Sequence, residues 1–482
     1  MPDLRPILHI NGWLLAGLAV LMLIPACADL ITGDPDSLVF LASAVSTGFF
    51  GMALVLANRR RTLALDVKQA FVLTTTVWVS MGIFAALPFK FADVNLSYAG
   101  SFFEATSGLT TTGATVLVGL DHMPPGILLW RGLLELGGGL GIIVMAIAIL
   151  PFLRVGGMQL LRTESSDRMD KVLPRARQLT LATASLYLFF AVLCGFGYWA
   201  GGMAPFDATV HAMTTISTGG FSTSDASLSK WPGDLILWNG IVFMFLGSLP
   251  FTLYLRTLKG SWRDLVFDDQ VKLLVVILLA TSIAMTIWME VEGRAPLWGG
   301  FEHALFNILS VISGTGYMSQ DYGMWGGLPH IFFAMLLLTG GCTGSTTGGI
   351  KMMRFAVLWQ VARSYVRQLI TPHGIFQQRF NGMPIGNDVA ISVVAFVGLY
   401  LASLGFFTIV LAWIGLDPTT SFAAAAACLG NVGPGLGEIV GPSGTYRTLP
   451  QSAIWVLSAA MVLGRLELFT VLVMFTRHFW RS

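Results

Sequence analysis

Four short stretches of this chain combine glycine with hydroxyl or amide residues, a composition suited to holding a monovalent cation with backbone carbonyl groups. Each stretch is a tetrad with glycine in its third position. The tetrads are Thr111-Thr112-Gly113-Ala114, Thr218-Gly219-Gly220-Phe221, Gly314-Thr315-Gly316-Tyr317 and Asn431-Val432-Gly433-Pro434. Carbonyl groups that converge on one axis need a backbone that a Cβ would obstruct, which explains the shared glycine. The alternative is that these glycines only let helices pack closely.

The residues around each tetrad follow one pattern. A short apolar run precedes the tetrad, and a polar, turn-rich segment follows it before the next long apolar run. This pattern predicts a helix, a half-length re-entrant helix, an extended loop and a second helix. Irregular backbone at membrane depth is tolerated only inside protein or beside a wet cavity, so four such loops predict one central pathway. The carboxyl end of each half-helix would add partial negative charge that favours a cation.

Composition places these loops in a membrane. The 482 residues are 55% hydrophobic and 11% charged, and the mean hydropathy is +0.73. Several apolar runs reach the roughly 20 residues that cross a bilayer. We expect an all-α polytopic protein with ten spans and four re-entrant segments. The predicted units are two N-terminal helices in 1–64, pore module 1 in 65–153, a connector and module 2 in 154–260, module 3 in 261–380 and module 4 in 381–482.

The distribution of basic residues predicts the orientation. With the N-terminus inside, most of the 28 Lys and Arg residues fall in inner loops, as the positive-inside rule requires. Lys351 and Arg354 belong to this inner group, whereas Arg131 falls at the outer rim. Both termini are then cytoplasmic, and all four tetrads lie on the outer side. The runs 234–255 and 451–476 are counted among the ten spans.

A second motif lies within the long apolar run 329–362. Residues 339–351 contain five glycines, each of which costs a helix about 0.8–1 kcal/mol relative to alanine, so the span should break there. A phosphate-binding loop would need a different spacing between its last glycine and Lys351, and a preceding strand. A structural kink without further function is the remaining alternative.

Arg465 is placed inside the last span, where a charge is expensive and usually faces a cavity or a partner. It could oppose a permeating cation and donate hydrogen bonds to carbonyl groups of the glycine-rich loop. The alternative is an internal ion pair with Glu467, although residues two apart on a helix point in different directions.

Other polar residues admit simpler interpretations. Acidic residues near the half-helices could form a cation-attracting outer mouth or begin helices favourably; they are Glu104, Asp207, Glu302, Asp417 and Glu438. His211 and His303 are interpreted as packed residues rather than ligands. The four cysteines, Cys27, Cys194, Cys342 and Cys428, are interpreted as packed thiols. The segments 154–177 and 363–379 could face lipid headgroups or a cytosolic partner.

Several functional classes find no support. No nucleophile, base and orienting group stand together, so we expect neither an enzyme nor a cofactor bound by this chain. The composition carries no nucleic-acid footprint. The nearest rival function is a proton- or sodium-coupled transporter that works by alternating access, whose broken helices meet at the midplane. That class predicts inverted repeats, whereas an even number of spans in each module makes these repeats parallel.

With these motifs in place, the chain resembles the Trk/Ktr/HKT superfamily of potassium transporters, and most of all its bacterial TrkH branch. The resemblance covers about residues 65–480, and TrkH proteins also carry two extra N-terminal helices. The tetrads resemble degenerate forms of a potassium-channel filter. The resemblance implies that backbone carbonyl groups bind potassium, with rubidium as a surrogate, at Thr111, Thr112, Gly113, Thr218, Gly219, Gly220, Gly314, Thr315, Gly316, Asn431, Val432 and Gly433.

The resemblance implies further properties of the site. Gly113 favours potassium, because serine at this position accompanies sodium transport in plant relatives. Gly314 departs from the Thr or Asn of the other tetrads, so a side-chain contribution is not expected there. The glycine-rich motif corresponds to an intramembrane gate loop. The implied gate residues are Gly340, Gly341, Cys342, Thr343, Gly344, Ser345, Thr346, Thr347, Gly348 and Gly349, with Arg465.

The resemblance also implies an assembly and a location. TrkH proteins are homodimers that bind a ring of TrkA-type cytosolic subunits, which bind nucleotides. We therefore expect potassium uptake across the bacterial inner membrane, selected by the filter, gated by the intramembrane loop and regulated by such a partner.

Overall fold

A computed structural model describes residues 3–59, 65–148, 172–374 and 376–481. Almost every element in these ranges is a helix, which confirms the all-α class. Two short antiparallel strands, β1 (Arg379–Phe380) and β2 (Met383–Pro384), form a small hairpin. The basic connector predicted over 154–177 falls almost wholly outside the described residues.

The chain begins with two long helices and then repeats one arrangement four times. A long helix precedes a half-length helix, an irregular segment and a further helix in each repeat. The helices are α1 (Arg5–Thr32), α2 (Asp36–Ala57), α3 (Val67–Phe91), α4 (Tyr98–Leu109), α5 (Pro125–Ala148), α6 (Val172–Ala200), α7 (Pro205–Ile216), α8 (Asp234–Ser248), α9 (Phe251–Leu258), α10 (Trp262–Phe267), α11 (Asp269–Val291), α12 (Leu297–Ile312), α13 (Gly327–Leu336), α14 (Met352–Ile370), α15 (Asn387–Ile414), α16 (Pro418–Gly430), α17 (Gly437–Val440), α18 (Gln451–Arg465), α19 (Phe469–Leu472) and α20 (Arg477–Arg481).

Within the described residues, seven helices are long and apolar enough to cross a membrane, or up to nine spans if each of two bent pairs counts as one. The seven are α1, α2, α3, α5, α6, α11 and α15. Ten spans were expected. The difference between nine and ten is the run 329–362. This run breaks as predicted, because α13 ends at Leu336 and α14 begins at Met352.

Two of the other predicted spans, 234–255 and 451–476, are bent. Helices α8 and α9 meet at an angle of 93°, and α18 and the segment Phe469–Phe475 meet at 104°. Pro250 lies at the first bend, where its ring removes a backbone donor and clashes with a continuing helix. At the second bend Glu467 and Leu468 adopt positive φ angles of 62° and 38°, and Glu467 turns inward to an ion pair described below.

The carboxyl-terminal parts of the four half-helices, α4, α7, α12 and α16, are enclosed by protein. Ala423, Ala424, Ala425, Ala426 and Ala427 of α16 are at most 1% exposed, so all sides of that helix are packed. The long helices differ, since residues such as Val45, Val276 and Ile409 expose apolar side chains on their outer faces. Short helices are therefore held in the middle of the molecule and long helices surround them.

The N-terminal pair is packed onto this core. Helices α1 and α2 approach closely at Gly12 and Gly51, where a Cβ on either glycine would lie less than 3.0 Å from the backbone of the other helix. Asp29 of α1 is completely buried and accepts a hydrogen bond of 2.5 Å from the backbone nitrogen of Gly126 in α5. The carboxylate thus caps the amino end of α5, where backbone donors lack helical partners.

Candidate functional site: the tetrad ring and the loop beneath it

The four tetrads form a closed ring. A Cβ placed on the third residue of any tetrad would lie less than 3.0 Å from the carbonyl oxygen of the second residue of the next tetrad. The contacts are Gly113 with Gly219, Gly220 with Thr315, Gly316 with Val432, and Gly433 with Thr112. The fourth contact returns to the first tetrad. Glycine is therefore required by the approach of neighbouring backbones, not only by helix packing.

All four tetrads share one backbone conformation. The third residues have φ angles between 75° and 89°, and the first residues, Thr111, Thr218, Gly314 and Asn431, have φ angles between 49° and 74°. The second residue of each tetrad does not have a positive φ. The four tetrads therefore share one pattern of positive φ angles at their first and third residues.

This conformation explains the departure at Gly314. The left-handed region costs an ordinary L-residue roughly 1–2 kcal/mol, and Thr111, Thr218 and Asn431 carry that cost in their tetrads. Glycine enters the same region freely. Gly314 therefore adopts the common backbone conformation with φ of 74°, although it has no side chain to offer.

Each half-helix ends at most one residue before its tetrad, so the carboxyl ends of α4, α7, α12 and α16 converge on the ring. The dipoles of these helices contribute partial negative charge there. At the other end, Asp417 caps α16 by accepting a hydrogen bond from the Thr420 nitrogen at 3.0 Å, and Asp207 lies in the first turn of α7. These two acids begin helices, which was one of the two interpretations left open.

Glu104 and Arg131, both predicted near the outer side, are buried and form an ion pair of 2.9 Å that the sequence did not predict. Glu104 also accepts hydrogen bonds from the Thr115 hydroxyl and the Val116 nitrogen. Arg131 donates to the Ser222 carbonyl at 2.7 Å. The pair thereby joins the segments that follow tetrads 1 and 2, and each charge is satisfied on more than one side.

The two half-helix histidines are packed as predicted. His211 is completely buried, with its ring nitrogens 2.8 Å from the Asp207 carbonyl and 3.0 Å from the Ser222 hydroxyl. His303 lies 3.0 Å from the Ser319 hydroxyl. The interpretation of all four cysteines as packed thiols fails for Cys27, which is exposed. Among the described residues, no group of three or more His, Cys, Asp or Glu could hold a metal ion.

Residues 337–351 form the glycine-rich loop between α13 and α14, and this loop lies against the bend of α8 and α9. The Cys342 nitrogen donates to the Ser248 carbonyl at 2.9 Å. The Thr346 hydroxyl donates to the Gly247 carbonyl at 3.0 Å, and the Phe251 nitrogen donates to the Gly344 carbonyl. The bend at Pro250 thus supplies free backbone groups that bind the loop.

The loop also contacts the tetrad ring. The Thr218 hydroxyl, in the first residue of tetrad 2, donates to the Thr346 hydroxyl at 3.0 Å. A Cβ on Gly348 would lie less than 3.0 Å from Asn431, the first residue of tetrad 4. The loop therefore lies directly beside the ring, at the end formed by the first tetrad residues.

Arg465 makes the contact that the sequence predicted. It is 3% exposed, and its guanidinium donates to the Thr346 carbonyl at 2.9 Å. Arg465 and the loop line a cavity of about 20 Å³, which is enough space for one water-sized molecule. The alternative ion pair with Glu467 is not formed, because Glu467 pairs with Arg354.

Sequence reasoning missed other residues here. Arg354 and Lys351 were assigned to an inner loop, yet both are buried. Arg354 lies over the Phe396 ring at 3.5 Å as well as beside Glu467, and Lys351 donates to the Thr347 carbonyl. The Tyr446 hydroxyl donates to the Gly433 carbonyl at 2.7 Å. In the sequence, the nearby glycine motif was the only signal that Lys351 and Arg354 could belong to the site.

Four converging half-helices with a ring of glycine tetrads define a membrane protein of the cation-transporting class. The chain belongs to the TrkH family, described as cation transport proteins, whose family model matches residues 37–481. It is 43% identical to the Trk system potassium uptake protein TrkI of Halomonas elongata over 99% of this chain and 97% of that protein. It is 35% identical to TrkH of Vibrio parahaemolyticus over 99% of both chains.

The fold agrees with this membership. The crystal structure of the potassium transporter TrkH from Vibrio parahaemolyticus superposes with a TM-score of 0.91 over 100% of both chains, at 31% sequence identity. The relatives are transporters, and the expectation that this chain is not an enzyme is confirmed.

Proposed function

We propose that this protein takes up potassium across the bacterial inner membrane through a channel-like selectivity filter. The observation that carries the proposal is the closed ring of four tetrads, each with positive φ angles at its first and third residues. Rings of backbone carbonyl groups replace the hydration shell of a potassium ion. The names of the Halomonas and Vibrio relatives support potassium as the transported ion.

The filter is formed by the first three residues of each tetrad, through their backbone carbonyl groups. Potassium is the cargo of these groups and not a resident cofactor. At Gly433 the carbonyl oxygen already accepts one hydrogen bond from Tyr446. A carbonyl oxygen has two lone pairs, so this bond leaves one available and also restrains the fourth tetrad.

Residues 340–349 act as a gate in this proposal. The loop crosses beside the ring and is bound by backbone groups of the α8–α9 bend and by Arg465. Closure by hydrogen bonds can be reversed by small rearrangements, whereas a continuous helix would have to unfold. The Arg465 charge additionally opposes a cation that approaches the loop.

The proposed context includes a homodimer and a nucleotide-binding TrkA-type cytosolic partner, with both chain termini in the cytoplasm. Exposed basic and aromatic residues on α14, namely Arg363, Tyr365 and Arg367, offer a surface for such a partner. The family resemblance supports this part of the proposal.

Cation flux into proteoliposomes tests the filter. We expect potassium and rubidium to move down an imposed potential and sodium to be excluded. Gly113→Ser should weaken this discrimination, because Gly113 has φ of 77° and a Cβ there would strike the Gly219 carbonyl. Gly119→Ser is the matched control, since Gly119 has φ of 81° but open space around it, and it should retain selectivity.

The opposite result would identify the rival mechanism. Flux that requires an imposed proton or sodium gradient, and that is equally insensitive to both serine substitutions, would show that the tetrads form the substrate site of an alternating-access transporter.

A further inference from the structure

Glu135 of α5 lies directly behind tetrad 2. The side chain is completely buried, and both carboxylate oxygens lie 3.2 Å from the Phe221 nitrogen, which donates to them. Phe221 is the last residue of tetrad 2 and follows Gly220. A buried carboxylate is therefore attached to the backbone of the ring itself.

This hydrogen bond determines the direction of one carbonyl group. The Phe221 N–H and the Gly220 C=O belong to the same planar trans peptide, so they point to opposite sides. While the N–H points back to Glu135, the Gly220 carbonyl points away from it. Gly220 has φ of 85°, and glycine lacks the Cβ that would restrict rotation of this peptide. The Glu135 hydrogen bond supplies that restriction.

Glu135 also explains a difference among the tetrads. The second residue is Thr112, Thr315 or Val432 in three of them, but Gly219 in tetrad 2. A Cβ on Gly219 would lie less than 3.0 Å from the Glu135 carboxylate. The carboxylate occupies the space that a side chain would need, so Glu135 and Gly219 form one packed unit.

Arg131 holds the same segment from one helical turn away, a spacing that puts both side chains on one face of α5. Its guanidinium lies 4.0 Å from the centre of the Phe221 ring and donates to the Ser222 carbonyl. Arg131 is already paired with Glu104. Glu135 therefore provides the contact to the tetrad backbone, and Arg131 restrains the residues that follow.

We infer that Glu135 is a positioning residue for ion selectivity, which orients the Gly220 carbonyl by accepting the Phe221 N–H. The inference rests on the proposed filter function. The reach of the acceptor oxygen is what matters, and the negative charge is secondary.

Two conservative substitutions separate reach from charge. Glu135→Gln keeps a carbonyl oxygen at the same distance along the side chain and removes the charge. Glu135→Asp keeps the charge and withdraws the carboxylate by one methylene. Glu290→Gln and Glu290→Asp are matched controls, because Glu290 is exposed near the end of α11. Potassium and sodium flux are measured separately in proteoliposomes, after thermal unfolding and size-exclusion chromatography establish that each variant is folded.

We expect Glu135→Gln to keep the potassium-to-sodium flux ratio within about twofold of the unsubstituted protein, and Glu135→Asp to lower it about tenfold, as the loss of a hydrogen bond predicts. The reverse order would overturn the inference, because charge would then outweigh reach. An unchanged ratio in both variants would overturn it too. If the unsubstituted protein itself fails to discriminate, the filter proposal fails, which is distinguishable from both results.

Discussion

Buried charged residues in the described part of the chain connect the tetrads and the loop to the surrounding helices. Glu104 and Arg131 join two tetrad segments, and Arg354 and Glu467 join α14 to the second bend. Such pairs arise because the irregular backbone exposes donors and acceptors that need partners inside the protein. Removing one member of a buried pair leaves an uncompensated charge, which is costly.

The Glu104 and Arg131 pair gives a residue-scale prediction. Glu104→Leu should destabilise the protein by about 3–5 kcal/mol, because it leaves the Arg131 guanidinium buried without its carboxylate. The double variant Glu104→Leu with Arg131→Met should be less destabilised than Glu104→Leu alone. Thermal unfolding of the detergent-purified variants measures both. With Arg131→Met measured as well, a loss in the double variant equal to the sum of the two single losses would show that the pair is not energetically coupled.

At the scale of elements, two helix breaks depend on each other. The bend at Pro250 exposes backbone groups of α8 and α9, and the glycine-rich loop binds those groups. Neither break has a full set of hydrogen-bond partners by itself. The bend and the loop therefore form one hydrogen-bonded unit. A straight helix over 234–255 would leave the loop without its binding surface.

This coupling gives a prediction for Thr346, whose hydroxyl bonds to the Gly247 carbonyl and to the Thr218 hydroxyl. Thr346→Val keeps the shape and removes both bonds, so closure should weaken and potassium flux without a regulatory partner should rise roughly fivefold to tenfold, as expected for one or two hydrogen bonds. Proteoliposome flux is the measurement.

Thr339→Val is the matched control for that experiment. Among the described residues, the Thr339 hydroxyl bonds locally, to the Leu336 carbonyl, so its loss should leave flux unchanged. A rise of the same size in both variants, or no rise with Thr346→Val, would count against the gate.

At the scale of the whole molecule, the Lys and Arg residues are distributed unevenly between two sets of loops. The loops that follow the tetrads and the loops on the opposite side differ in Lys and Arg content, which predicts that the tetrads face outward. Ser229 and Ser261 are exposed residues that this prediction places on opposite sides of the membrane. They follow tetrad 2 and the end of α9, respectively.

Thiol labelling checks this orientation. With Cys27 replaced by serine, Ser229→Cys should react with a membrane-impermeant reagent in intact spheroplasts, whereas Ser261→Cys should react only after permeabilisation. Cysteine is nearly isosteric with serine, so neither change should disturb the fold. Labelling of Ser261→Cys alone in intact spheroplasts would reverse the predicted topology.

The amino-acid sequence by itself determined the membrane class, the repeat of half-helices and tetrads and the break in module 3, and it offered the Arg465 contact with the loop as one of two alternatives. These features depend on local hydropathy, on glycine and on the cost of a charge in a span, all of which act over short stretches of chain. The structure alone showed that the tetrads close into a ring. It also showed that Glu104 pairs with Arg131 and Glu467 with Arg354. The Glu135 carboxylate occupies the space that a side chain at position 219 would need. Those partners lie far apart in the chain, and a buried polar group is satisfied by whichever partner the packing of helices brings to it.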